Sequence, residues 1–309
     1  MIYNLSGQSL SSVYDVNGEG LGAAYDINGT LVFEEGGGGT HRPISDYENY
    51  TVEMLSYTTP CGQDFAYHDG YLVAATDTND ILRVVNATTG ARLGESMSVS
   101  IGHCNSLVFS NEYYDENDTF PLICTPYNGL SYYRVDNSFT STTFIKKYSL
   151  QTTSKPSTKW YGLGFDFDED ALYVAGYTSG TYQPSSANTI MLAKYDLANP
   201  IDNGDSTYTL PLVYKKERQW FECIQGSEVH DGYMWVMSGI TSPPHLYALD
   251  LNTAEILFDI DSESGGWSLE PEAVSWVNDY TLLIGTKNRG SDTGMYKVTF
   301  TDIQSEINA

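Results

Sequence analysis

The sequence predicts an all-β fold, and its composition is the first reason. Of the 309 residues, 25 are tyrosine and 28 are glycine, whereas only 18% carry a charged side chain. This balance is typical of short strands joined by tight turns rather than of long helices held by surface ion pairs. The longest apolar runs, such as residues 71–75 and 281–284, have the length of a strand and fall short of the ~20 residues that cross a bilayer.

A degenerate repeat from Pro60 onward is the second reason. Each copy combines an alternating strand, a short turn of Asp, Asn or Gly, and a more continuous apolar strand. Five copies begin at Asp64, Asn105, Gly164, Gly226 and Pro271. Their starts are 41, 59, 62 and 45 residues apart, which fits the ~40–50 residues of a four-stranded propeller blade if the two wider intervals hold insertions. The repeat predicts a five-bladed β-propeller over residues 43–302 and a tail over 303–309, with a pair of β-sandwiches as the alternative.

The two ends of this region are predicted to close the propeller. The last copy ends after its third strand, and residues 49–57 alternate like a strand that has no partner of its own. We expect this segment to supply the fourth strand of the last blade. Closure of this kind removes free sheet edges, which otherwise invite aggregation.

A shorter repeat, of 11 residues, occupies the N-terminus. Units that begin at Tyr3, Tyr14 and Tyr25 align a tyrosine, an aliphatic residue, a glycine and a second apolar residue. Asn-Gly pairs in the second and third units favour turns, so we predict small hairpins or β-arcs over residues 1–35, with a low-complexity tail as the alternative. Four consecutive glycines, 36–39, predict a flexible linker over residues 36–42.

This leader resembles the N-termini of tail-associated proteins from phages and prophages of Gram-positive bacteria. In those proteins, units of the form Tyr-Asp-Val-Asn-Gly-x-x-Leu precede an unrelated globular module. The first unit departs from the pattern, with Asn4 for Asp and Ser6 for Asn. The resemblance implies that residues 1–35 dock the chain onto phage tail or baseplate proteins and that the remainder is displayed on the virion. No secretion signal is visible, so we expect synthesis in the bacterial cytoplasm.

Charge and cysteine spacing exclude several classes of function. The formal net charge of −25 opposes binding to nucleic acid or to an anionic membrane surface. The four cysteines, at positions 61, 104, 124 and 223, are too widely spaced for a structural zinc site, and we expect free buried thiols. Calcium is the one cofactor that the sequence offers, at the acidic turns 115–118 and 166–170, although neither has the spacing of an EF-hand loop. Ordinary turns are the alternative at both places.

The candidate binding residues come from the innermost strand of each blade. The loop that leads into this strand opens onto one rim of a propeller, where ligands commonly bind. Polar and aromatic residues recur at this position in all five copies, which predicts a ligand site: Gln63, Asp64, His103, Asn105, Trp160, Tyr161, Gln225, Glu228, Glu270 and Glu272. The alternative is that these groups only satisfy backbone groups and channel water.

The residue types at this rim favour a carbohydrate ligand. Sugar faces stack on aromatic rings such as Trp160, Tyr161 and Trp267, while amides and carboxylates bind sugar hydroxyls. The long-range charge of the protein repels anionic polymers, so we expect a neutral glycan or local compensation by Lys287 and Arg289.

An enzyme remains the alternative to a binding protein. Two carboxylates roughly 5–10 Å apart can hydrolyse a glycosidic bond, and Glu228, Glu270 and Glu272 are the candidate acids. A polysaccharide lyase would instead use His103 or Tyr161 as its base and Arg289 to neutralise the substrate carboxylate. The sequence contains no motif of serine hydrolases, zincins or nucleotide-binding loops.

The predicted propeller is similar in architecture to the platform of receptor-binding proteins from phages that infect staphylococci. That similarity implies recognition of a host cell-wall glycopolymer and assembly as a homotrimer. We therefore expect a phage tail protein that binds host surface polysaccharide, with a tail-borne glycan depolymerase and a structural scaffold as alternatives.

Overall fold

The computed structural model describes the propeller region and part of the leader. The described residues are 23–25, 31–34 and 41–308, except 59–61, 77–79, 103, 105, 127–129, 152–161, 180–188, 220–222, 240–242, 268–269 and 288–292. The chain divides into two compact units, Met1–His41 and Arg42–Ala309. Among the described residues, no helix has both the length and the apolar character needed to cross a membrane.

The described part of the first unit includes a small antiparallel sheet. Its strands are β1 (Ala23–Tyr25) and β2 (Leu31–Glu34), and Asn28-Gly29 lies between them in the third unit of the short repeat. The rest of the leader lies outside the described residues. The docking role of residues 1–35 therefore stays a prediction.

The second unit confirms the predicted five-bladed β-propeller. Blade 1 consists of β4 (Phe65–His68), β5 (Tyr71–Ala75), β6 (Ile81–Asn86) and β7 (Arg92–Ser98). Blade 2 consists of β8 (Val108–Phe109), β9 (Ile123–Thr125), β10 (Leu130–Val135) and β11 (Thr142–Leu150). Blade 3 consists of β12 (Gly162–Asp166), β13 (Ala171–Ser179), β14 (Thr189–Asp196) and β17 (Leu212–Gln219). Blade 4 consists of β18 (Ile224–His230), β19 (Tyr233–Ser238), β20 (His245–Asp250) and β21 (Ile256–Asp261). Blade 5 consists of β22 (Glu270–Asn278), β23 (Thr281–Lys287), β24 (Thr293–Phe300) and β3 (Tyr50–Met54).

Local sequence explains the repeated hairpins. In blades 1 and 4 the turn between the first two strands is Asp-Gly, and both residues have positive φ: 44° and 85° at Asp69 and Gly70, 49° and 78° at Asp231 and Gly232. Turns with two positive φ angles match the twist of antiparallel strands, and Asp-Gly adopts them readily. The second strands are almost wholly buried because neighbouring blades cover both faces, which explains their continuous apolar runs.

The predicted closing strand is in place. β3 pairs antiparallel with β24, with Glu53 opposite Lys297, and these two side chains form an ion pair. A 3₁₀ helix, Ile44–Tyr47, precedes β3, and a helix α2, Thr301–Ile307, follows β24. The predicted tail, residues 303–309, thus begins inside helix α2, and Ile303 of this segment is fully buried. A short helix α1, Ser262–Gly265, follows β21.

The start of the propeller unit is fastened to blade 4. The backbone N–H of Arg42 donates to the carboxylate of Asp231 at 3.1 Å, and its carbonyl accepts the Tyr233 hydroxyl at 2.9 Å. The Tyr47 hydroxyl donates to the same Asp231 carboxylate at 2.8 Å. Arg42 also forms an ion pair with Glu306 of α2 at 2.9 Å. The chain is therefore held on blade 4 before it continues into blade 5 as β3.

The two wide repeat intervals hold insertions, as predicted. In blade 2 the segment 110–122 separates β8 from β9. In blade 3 a hairpin of β15 (Ile201–Gly204) and β16 (Thr207–Leu210) stands between β14 and β17. β16 does not join its own blade, because it pairs in parallel with β11 of blade 2 and extends that sheet to six strands.

Candidate functional site

A ring of hydrogen bonds links the innermost strands of the five blades. The Asp64 carboxylate of blade 1 accepts the backbone N–H of Leu107, next to β8, at 2.7 Å. The Ser106 hydroxyl of blade 2 accepts the backbone N–H of Leu163 in β12 at 3.1 Å. The Ser227 hydroxyl of blade 4 donates to the Leu163 carbonyl at 3.0 Å. These bonds connect blades 1 to 4 side by side around the centre.

Blade 5 completes the ring. The Glu228 carboxylate of blade 4 accepts the backbone N–H of Trp276 at 2.7 Å, and the Ser275 hydroxyl accepts the backbone N–H of Tyr67 in blade 1 at 3.0 Å. The inner strands lie in separate sheets, so backbone groups that face the next blade have no sheet partner there. Polar side chains supply those partners, which explains why polar residues recur on these strands.

Asp64 belongs to this ring rather than to a surface. Its side chain is fully buried, and its second oxygen accepts the N–H of Phe65 at 2.8 Å. Burial raises the pKa of its carboxyl well above the ordinary value, and the nearby charges of Glu228 and Glu272 raise this pKa further. Asp64, expected from sequence to contact a ligand, presents no accessible surface to one, because its carboxylate joins blade 1 to blade 2.

Glu228 is an acid of the inner strands whose pKa lies near neutrality. Burial raises its pKa to about 7, although hydrogen bonds from Trp276 and Ser275 oppose the shift. The residue as a whole is partly exposed, whereas Glu272 is only 5% exposed. A carboxyl with this pKa can carry or release a proton near pH 7.

A second set of polar residues lies where the inner strands begin, and we call it the front-rim cluster: Gln63, Gln225, Glu270 and Lys287. The Gln225 amide donates to Glu270 Oε1 at 3.1 Å, which joins blade 4 to blade 5. Lys287 stands opposite Glu270 in the blade 5 ladder, and its Nζ donates to the Gly62 carbonyl at 3.3 Å. The Gln63 amide donates to the same carbonyl at 2.8 Å. The cluster thus spans blades 4, 5 and 1.

Strand irregularities accompany this cluster in two adjacent blades. The register shifts between Ile224 and Ser227 in β18, and again between Pro271 and Ala273 in β22. Gly226, inside the first irregularity, lets the two backbones approach, since a Cβ at this position would lie 2.7 Å from the Ala273 Cα. Irregularities of this kind redirect side chains and are common beside functional sites. The amide of Gln225 and the carboxylate of Glu270 flank this close approach.

Several sequence-predicted residues are not part of what the structure describes. His103, Asn105, Trp160 and Tyr161 lie outside the described residues, as does Arg289, so their roles stay predictions. Trp267 is described, and it corrects one expectation: it is fully buried against Gly265 and Tyr296 and offers no ring face to a sugar. Lys287, noted from sequence only for its charge, emerges as a member of the cluster.

The acidic turns considered for calcium are largely engaged with groups of the chain. The Asp118 carboxylate accepts hydrogen bonds from the Arg134 guanidinium, and Asp115 accepts the backbone and side-chain N–H groups of Asn117. In the second turn, Asp166 accepts the backbone N–H of Glu169 at 3.2 Å. These contacts are those of ordinary Asx turns and ion pairs.

Three of the cysteines are described, and all three are buried thiols outside any disulfide: Cys104, Cys124 and Cys223. Burial raises the pKa of Cys104 to about 12, and it also raises that of Cys124. Thiols in this state are unreactive at neutral pH.

Comparison with known proteins adds little beyond the fold. No protein-family model and no curated protein matches the chain. The PQQ-bound form of an aldose sugar dehydrogenase from Streptomyces coelicolor aligns with a TM-score of 0.48 at 12% identity, over 81% of this chain and 98% of that chain. A putative oxidoreductase (glucose dehydrogenase) from Thermus thermophilus aligns with a TM-score of 0.46 at 11% identity, over 81% of this chain and 100% of that chain. The outer coat of COPII on membranes gives 0.35 at 14% identity, over 78% of this chain and 75% of that chain. Likenesses this distant carry no argument about activity, cofactor or partners.

Proposed function

We propose that this chain is a carbohydrate-recognition module, which binds a host surface polysaccharide at the front rim of its propeller. The observation that carries the proposal is the front-rim cluster, in which amides, a carboxylate and an ammonium group from three blades are connected by hydrogen bonds. Gln63 and Gln225 are only 2% exposed and hold the partly exposed residues Glu270 and Lys287 in place, whose carboxylate and ammonium groups can bind sugar hydroxyls. Strand irregularities at the same place support a role beyond packing.

The charges of the cluster favour a neutral glycan. Glu270 and Lys287 lie opposite each other in one ladder, so their formal charges offset locally. The whole chain carries a net charge of −25, which repels anionic polymers at distances up to about the 8 Å Debye length of physiological salt. A neutral saccharide is not repelled by the net charge, and it does not need an excess of positive charge at the cluster.

A glycan depolymerase is the second candidate, and the pKa of Glu228 favours it. A carboxyl with a pKa of about 7 suits a general acid, and Glu272 and Asp64 are acids of the same region. Against this, Glu228 Oε2 accepts the backbone N–H of Trp276 and thereby joins two blades. This structural link is sufficient to explain why a glutamate occupies position 228, and no catalytic role is needed. Recognition is therefore the preferred function.

Size-exclusion chromatography of fluorescently labelled wall polysaccharide separates the two candidates. Recognition predicts that the label elutes earlier when the protein is present, whereas cleavage predicts that it elutes later. We expect Glu270→Gln and Lys287→Met to lose the early-eluting label. The matched control pair, Glu53→Gln and Lys297→Met, removes an ion pair from the outer edge of the same blade and leaves the shift intact. If the protein leaves the elution of every neutral wall and capsule fraction unchanged, both candidates are refuted, and a structural scaffold is the remaining alternative.

Display on a phage tail is a separate proposal, and its support is the repeated leader of residues 1–35. If this segment docks the chain and the fibre is threefold, the full chain sediments as a trimer in analytical ultracentrifugation. It also co-purifies with baseplate proteins, and a variant without residues 1–35 does not. A monomeric full chain that ignores baseplate proteins contradicts this proposal without affecting glycan recognition.

A further inference from the structure

A cavity of about 160 Å³ opens between blades 2 and 3, away from the front rim, and we call it the interblade pocket. Its walls include Ser110 and Glu112, which follow β8, and Phe167 and Asp170, which follow β12. These positions lie where the inner strands end, whereas the front-rim cluster lies where inner strands begin. The pocket is therefore a different place from the site of the proposed function.

Both insertions of the chain meet at this pocket. The blade 2 insertion, 110–122, contributes Ser110, Asn111 and Glu112 to its wall. The blade 3 insertion begins after β14 with Leu197, another lining residue, and its β16 brings Tyr208 to within 5.3 Å of the Tyr148 ring, measured between centroids. Added segments on a repeated scaffold commonly carry function. Here the two longest departures from the blade repeat border one cavity.

Aromatic rings form one part of the wall. Phe167 is 42% exposed, which is unusual for a phenylalanine, and it stacks on the buried Phe165 with centroids 5.5 Å apart and ring planes 12° apart. The underlying ring fixes the orientation of Phe167. A phenyl group held in this way at the border of a pocket offers an apolar surface to the C–H face of a sugar.

The charged groups at the pocket carry one formal negative charge in sum. Glu112 forms an ion pair with Lys146, whose Nζ also lies 4.9 Å and 5.1 Å from the ring centroids of Tyr132 and Tyr148. Asp170 is the second acidic residue of the lining. Carboxylates accept hydrogen bonds from hydroxyl groups, and the acidic chain disfavours anionic ligands.

The volume limits the ligand to one small ring. Pockets for drug-sized molecules span about 300–1,000 Å³, and a cavity near 150 Å³ accommodates a ligand the size of benzene. We propose that the interblade pocket is a second binding site, which takes a single neutral pyranose residue stacked on Phe167 with its hydroxyls toward Asp170. This inference does not depend on the front-rim proposal.

Saturation-transfer difference NMR on the full chain tests the proposal with three probes: the methyl glycosides of glucose, galactose and N-acetylglucosamine. We expect at least one of them to receive saturation. Phe167→Ala and Asp170→Gly then weaken its binding at least tenfold, while Phe167→Tyr, which keeps the ring, retains it. Asp170 has a positive φ of 46°, so glycine fits its backbone and the variant tests the side chain alone.

Matched controls come from similar residues elsewhere in the propeller. Asp69 lies in the turn between the first two strands of blade 1 and also has a positive φ, of 44°, and Phe144 is 49% exposed on β11 without lining the pocket. Asp69→Gly and Phe144→Ala should bind the probe like the parent chain. Saturation of no probe, or unchanged affinity in both Phe167→Ala and Asp170→Gly, overturns the proposal. Loss of probe binding in Glu270→Gln but not in the pocket variants assigns the binding to the front rim instead, and likewise overturns it.

Discussion

The raised pKa of Glu228 makes a definite prediction about stability and pH. The pKa of its carboxyl rises from 4.5 to about 7 on folding, so the folded protein holds the proton more tightly than the unfolded chain. The associated stability is fully present below pH 4.5 and is lost as the pH rises through 7. With 1.36 kcal/mol per pKa unit, Glu228 lowers the free energy of unfolding by up to about 3 kcal/mol between these limits.

Urea unfolding between pH 4.5 and 8.5 measures this effect. Glu228→Gln keeps a carbonyl oxygen for the Trp276 N–H and cannot ionise, so the variant should lack this part of the decline and exceed the parent chain in stability at pH 8. Other buried groups also titrate in this range. Burial lowers the pKa of His68 and His230, and their contribution to stability rises with pH. The two histidines contribute equally in the parent chain and in Glu228→Gln, so their contribution cancels in the difference between the two free energies of unfolding.

A control and a refutation complete the design. Glu53→Gln, at the outer edge of blade 5, should follow the pH dependence of the parent chain. If the parent and Glu228→Gln lose stability in parallel from pH 5 to 8, the carboxyl is not held protonated by burial. The proposed acid role in a depolymerase then loses its basis as well.

Three further predictions concern the centre of the propeller. Asp64→Ala orphans two backbone N–H groups and should lower the free energy of unfolding by about 1–3 kcal/mol for each in urea titrations, whereas Asp64→Asn, which keeps an acceptor oxygen, should lower it less. Gly226→Ala places a Cβ 2.7 Å from the Ala273 Cα and should cost about 1–3 kcal/mol and weaken glycan binding; unchanged stability refutes the close approach. Cys104 and Cys124 should resist iodoacetamide at pH 8 in the native protein and react in urea, because burial raises both pKa values; rapid native labelling contradicts this.

The blades were predictable because their signals are local. Alternating strands, Asp-Gly turns and the unpartnered strand at 49–57 all appear within short windows of sequence. The partner of β16 was not predictable in this way. Leu210 ends β16, which pairs with blade 2, and the fourth strand of blade 3 begins only two residues later, at Leu212, so no local signal separates the two strands.

The candidate site was predictable in part, for a related reason. The sequence identified polar residues on the inner strands, and the structure describes Gln225 and Glu270 bonded across two blades. It did not separate these from Asp64 and Glu228, which accept backbone N–H groups of the next blade. That distinction depends on which strand ends lie side by side in space. Residue type and spacing carry no information about it.

The fastening of the chain on blade 4 has a mechanical consequence. A closed propeller whose last strand comes from its N-terminal side is expected to open by peeling of that strand when the N-terminus is pulled. Here tension at residue 41 first meets Arg42 and Tyr47, which share the Asp231 carboxylate, and reaches β3 only after these contacts break. The contacts with blade 4 therefore bear the force first, and the hydrogen bonds between β3 and β24 bear it only afterwards. A module held at its leader and bound to a surface at its rim would keep its ring closed under strain.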